Sequence, residues 1–74
     1  MQITVRLFAS LCSGRFKERV LYYPPGTDVG RIVEDLGIPE HHLGTILING
    51  VHREIDSELS PGDTLWILPV LAGG

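Results

Sequence analysis

The sequence is poor in the features that fix a function at sight. It has a single cysteine, Cys12, so no internal disulfide can form, and a reducing cytoplasm is the expected compartment. No apolar run approaches the ~18 residues of a membrane span. The opening "MQITVRLFAS" lacks the basic region, apolar stretch and cleavage site of a secretory signal. Six basic residues are scattered among nine acidic ones, and the net charge is −3. Without a basic stripe there is no electrostatic footprint for nucleic acid. Neither a catalytic triad nor a phosphate loop is present. His41, His42 and His52 are read as solvated loop residues, because adjacent histidines point apart on most backbones and no Cys or carboxylate cluster has ligand spacing; no metal is expected. Cys12 has no activating motif around it and reads as a structural thiol. The carboxylates Asp28, Glu34, Asp35, Asp56, Glu58 and Asp63 read as capping, turn and surface residues.

Seventy-four residues make one domain with an expected stability of roughly 4–11 kcal/mol. So small a core leaves little room for a deep catalytic pocket, which favours a partner or carrier role.

What is present is a regular succession of elements. "QITVRLF" alternates, with Ile3, Val5 and Leu7 on one side and Gln2, Thr4 and Arg6 on the other, as a half-buried strand does. Ala9–Cys12 fits one helical turn, and Ser13-Gly14 a turn. "FKERVLYY" predicts a second strand, with Leu21 and Tyr23 inward, stopped by "PPGT". Val29, Ile32, Val33 and Leu36 form one apolar helical stripe, capped by Thr27 or Asp28 and ended by Gly37 and Pro39. Gly30 inside that helix implies close packing of backbone on the sheet. "EHHLG" is a connector. "TILINGVHR" predicts a hairpin turning at Asn49-Gly50. "LSPGD" is a further turn, and "TLWILP" the last strand, stopped by Pro69.

Leu65 and Ile67 take one face of that strand, so Trp66 and Leu68 take the other. One helix covers one face of a small sheet. Trp66 and Leu68, with Leu47 by the same parity, are therefore expected exposed on the open face, with Arg6 beside them. A contiguous patch holding a tryptophan marks a contact surface.

The order strand, strand, helix, strand, short strand, strand, followed by Pro61-Gly62-Asp63, Pro69 and a closing Gly73-Gly74, resembles the ubiquitin-like β-grasp sulfur carriers. The likeness covers the whole chain, and "LING" at Leu47–Gly50 fits it. "LFASLCSGRFKE" after the first strand is most like the small subunit of molybdopterin synthase, with the thiamine sulfur carriers as sister branch. Val70 stands where that subunit commonly has a second proline.

The resemblance implies an α+β fold, a mixed sheet of four to five strands with one main helix on one face. The globule would span 1–69 and a flexible tail 70–74. It also implies that the Gly74 carboxylate is the reactive group, with Gly73 its necessary neighbour. An adenylating enzyme related to the ubiquitin activators would use ATP to convert the carboxylate to an acyl-adenylate. A sulfur donor would displace AMP to leave a thiocarboxylate, and the large subunit of molybdopterin synthase would pass that sulfur to a pterin precursor. The chain would bind no cofactor and hold no catalytic side chain. Leu47, Trp66, Leu68 and Arg6 would dock both partners, and Val70 and Leu71 would grip the channel mouth. Glycines suit a narrow cleft because they lack Cβ, and five extended residues beyond Pro69 reach about 17 Å. Three other functions share the pattern: a thiamine-type carrier, a protein modifier joined through Gly74 to a lysine, and a plain interaction module. No nucleic acid or membrane is expected as partner.

Overall fold

The computed structural model describes residues 1–71. The alternation read from the sequence becomes strand β1 (Gln2–Leu7), in which Ile3, Val5 and Leu7 are buried. A 3-10 turn at Ala9–Cys12 follows and sends Leu11 into the core. Strand β2 (Glu18–Tyr22) pairs antiparallel with β1. It is shorter than the expected "FKERVLYY". Lys17 only accepts the Leu7 N–H (2.9 Å), and Phe16 turns aside to lie under the Arg19 guanidinium at 4.7 Å. Leu21 and Tyr23 pack against the core as expected, although Tyr23 lies beyond the strand.

Helix α1 (Val29–Asp35) starts at Asp28, whose Oδ1 accepts the Arg31 N–H at 3.0 Å. Its stripe buries Val29, Ile32 and Val33, and Gly37 ends it at φ 68°. The C-terminal carbonyls that a helix leaves unpaired find a partner invisible in the sequence. Arg15 donates from Nε to the Leu36 carbonyl (2.9 Å), from Nη2 to that of Gly37 (3.0 Å) and from Nη1 to that of Leu11 (3.2 Å). Gly30 does not serve close packing on the sheet. Its N–H donates to the Ile55 carbonyl at 2.8 Å, and an added Cβ would meet that loop at an ordinary 3.5 Å.

A second 3-10 turn at Glu40–His42 leads into β3 (Leu43–Ile48), which begins two residues before the expected hairpin. The Asn49-Gly50 turn has positive φ at both residues, 52° and 80°, the geometry a two-residue hairpin requires. It leads to a β4 of only Val51–His52. Strand β5 (Thr64–Pro69) runs up the centre, parallel to β1 and antiparallel to β3, giving the order β2-β1-β5-β3-β4. The inward residues of β1, β3 and β5 meet those of α1, joined by Leu11, Ile38 and Leu59 from connections. At ~1.5–3 kcal/mol for each fully buried aliphatic side chain, this single layer is the principal source of stability. The architecture is the expected mixed sheet with one helix on one face.

Candidate partner-docking face

The same alternation that fills the core fixes the opposite face. Trp66 stands at its centre, because its parallel partner on β1 is Arg6 and its antiparallel partner on β3 is Leu47. Leu68 follows two residues on, opposite Thr45. The structure thus brings together Arg6, Leu47, Trp66 and Leu68. The expected exposure is not found: all four are half-buried. The cover comes from neighbours on the face itself. Cross-strand side chains stand ~4.5–5.5 Å apart at Cβ, so a residue in a central strand is screened on both flanks.

Phe8 completes the screen, and the sequence reading did not include it. Its backbone N–H donates to the Ile67 carbonyl at 3.2 Å, and its ring tilts against Trp66 at 5.4 Å and 58°. Continuing the Gln2, Thr4, Arg6 alternation by one step would have found it. The Arg6 guanidinium lies 5.0 Å from the Phe8 ring and 5.7 Å from the Trp66 ring, within cation–π range of both.

The face runs into the root of the tail. Pro69 was expected to end the pairing, yet it is paired with Leu43, and the Val70 N–H donates to the His42 carbonyl at 3.1 Å. Proline removes only its own donor, so the neighbouring amide still bonds. A register shift between Leu43 and Thr45 sets Gly44 as an extra residue in β3. A Cβ there would lie 2.6 Å from the Pro69 carbonyl carbon and 2.9 Å from the Val70 nitrogen. Only glycine lets the two chains approach so closely. Past this clamp Val70 is 56% exposed and Leu71 80%. Gly73 and Gly74 lie outside the described residues.

Beside the tail root an open cleft of about 390 Å³ lies between the two 3-10 turns, with Ser10, Ser13, Arg15, His41, His42 and Val70 in its wall. Against expectation, the rings of His41 and His42 do not point apart but meet edge-on at 4.3 Å. The half-buried Cys12 thiol donates to the Leu7 carbonyl at 3.1 Å, a structural contact.

A five-stranded sheet grasping one helix, with the central strand leading to the exposed Val70 and Leu71 beside an aromatic face, defines a ubiquitin-like β-grasp protein. The chain belongs to the Mut7-C ubiquitin family, whose model matches residues 2–73. No curated protein sequence matches it. Among solved structures it is similar to a Pyrococcus furiosus protein assigned as molybdopterin converting factor subunit 1. That match has a TM-score of 0.77, 23% identity, and coverage of 96% of this chain and 99% of the other. It is also similar to small archaeal modifier protein 1 of Haloferax volcanii, with a TM-score of 0.75, 20% identity, and 95% and 98% coverage. A third similar structure is the complex of subunits 1 and 2 of molybdopterin-converting factor from Helicobacter pylori. Its TM-score is 0.67 at 20% identity, and the match covers all of this chain and all of the one chain of the complex that it aligns with. At these identities the structural likeness is one of fold.

Proposed function

We propose that this chain is a sulfur carrier that serves molybdopterin synthesis as the small, sulfur-donating subunit of the synthase, working in the cytoplasm. The observation that carries the reading is the continuity of face and tail. Trp66 and Leu68 lie on the strand that ends at Pro69, and the exposed Val70 and Leu71 lead from it toward Gly73-Gly74. A protein that admits the tail must cover this face.

The tail supplies the chemistry. With Gly74 as the terminal residue, its carboxylate would be a poor electrophile that needs activation. An adenylating partner lets a carboxylate oxygen attack the α-phosphorus of ATP, and pyrophosphate leaves. A sulfur nucleophile then attacks the carbonyl carbon of the acyl-adenylate and AMP leaves, giving the thiocarboxylate. The synthase large subunit takes the sulfur for the pterin precursor. This chain's own residues bind and orient: Arg6, Leu47, Trp66 and Leu68 dock, Val70 and Leu71 line the entry, and Gly44 with the His42 carbonyl holds the tail root in place.

The test is intact-mass measurement of the natural chain after incubation with ATP, a sulfur donor and cell extract. Replacement of one oxygen by sulfur at Gly74 is expected, and deletion of Gly74 should abolish it while leaving the fold unchanged. An isopeptide bond to a lysine in place of the thiocarboxylate makes the chain a protein modifier. Transfer of the sulfur to a thiazole precursor makes it a thiamine-type carrier.

A further inference from the structure

Two of the six basic residues are half-buried, and they are treated in opposite ways. Arg15 spends its guanidinium on three backbone carbonyls. The Arg6 guanidinium donates no hydrogen bond to any described residue, and the one ion pair among them is Arg31–Asp35. An anion is within reach of the register. Glu18 is the direct cross-strand partner of Arg6 on the same face, and opposite charges so placed normally attract. Arg6 instead leans the other way, onto Phe8 and Trp66. The cation–π contacts hold the guanidinium beside the two rings, while its N–H groups bond to no described residue and stay free to present their planar fork. Leu47 and Leu68 flank the pedestal and would exclude water from whatever lies on it.

We infer that Arg6 on its aromatic pedestal reads an Asp or Glu side chain of the protein that receives the tail, set among apolar residues. This deepens the proposed docking role and does not depend on the sulfur chemistry. A carboxylate matches the in-plane fork of a guanidinium. The acid is placed on the tail's recipient because Arg6 pairs with Trp66, three residues before Pro69. Nucleic acid is disfavoured, since the strand positions sharing this face carry Glu18 and His52 but no lysine or arginine besides Arg6, whereas a backbone-tracking groove needs several.

Peptides displayed on phage, selected against the full chain, test this without knowledge of the natural partner. The wild type should enrich peptides with Asp or Glu between apolar residues. Trp66 is the only tryptophan, so its fluorescence should change as a synthetic form of the selected peptide binds. Arg6→Gln should lose on the order of tenfold in affinity for that peptide, and Arg6→Lys should recover only part, because an ammonium does not stack as a plane. Replacing the peptide's acid by its amide should cost the wild type the same factor and Arg6→Gln nothing. Amide NMR spectra of both variants should match that of the wild type. The inference is overturned if no acidic peptide is enriched, if the acid preference survives in Arg6→Gln, or if a short oligothymidylate quenches Trp66 in an Arg6-dependent manner. Failure of sulfur loading with the peptide selectivity intact would remove the carrier reading alone.

Discussion

Trp66 and Ile67 are consecutive residues of one strand, yet they belong to different regimes. Ile67 is fully buried under α1. Trp66 is half-buried, screened by Arg6, Leu47 and Phe8 with no helix above it. Both faces of the sheet are rich in apolar atoms, so hydrophobicity alone does not separate them. What separates them is who supplies the cover. On the helix side the chain covers itself, and removing an atom leaves a void. On the other side the cover is lateral, and the outward surface remains available to a second protein.

Truncation at adjacent positions breaks or sharpens this contrast. Ile67→Ala should have the largest effect. Shortening a fully buried isoleucine costs about 2–5 kcal/mol, against a whole-domain stability of roughly 4–11 kcal/mol. Denaturant unfolding followed by circular dichroism should show a greatly lowered midpoint, or no folded state at all. Trp66→Ala should cost less stability than Ile67→Ala, since part of the side chain already faces solvent and the Phe8 pair adds only about 0.5–1.5 kcal/mol beyond its buried area, while partner binding weakens by about 2 kcal/mol or more. Equal losses of stability in the two variants would abolish the distinction between the faces.

This contrast was legible in the sequence, because side-chain alternation is local. The parity of β1 and β5, the stripe on α1, the Asp28 cap and the Asn49-Gly50 turn all follow from neighbours a few residues apart. What was not legible depends on distant partners. The half-burial of Trp66 needs Phe8 brought alongside it, 58 positions away in the chain. The helix cap by Arg15 spans 21 residues. The continued pairing at Val70 needs Gly44 to bulge out of β3. A proline read in isolation ends a strand, but here it sits inside a clamp that only the assembled sheet supplies. The strand edges were misjudged for a related reason. β2 and β4 each pair on one side only, so their ends are set by where one neighbour stops.

The smallest effect is expected at the rim, where the covered face meets water. Tyr23 packs against the core, and its hydroxyl donates to Asp35 Oδ2 at 3.0 Å; Asp35 also pairs with Arg31. Partial burial, together with the Asp35 hydrogen bond and charge, raises the phenol to about 12 from an ordinary 10.0. The folded state therefore favours the protonated phenol. Its contribution is complete below pH 10 and is lost as pH rises toward 12, since the unfolded chain releases the proton first. The group is largely open to solvent, so the amount is below about 1 kcal/mol. Tyr23→Phe removes both the hydrogen bond and the titration. The stability gap between wild type and Tyr23→Phe should be constant from pH 7 to 9 and should shrink above pH 10; every other ionising group is common to the two proteins and cancels in the difference. A gap that stayed constant to pH 11.5 would mean that the phenol is as free in the fold as in the open chain, and that the covered face ends inside Tyr23 rather than at it.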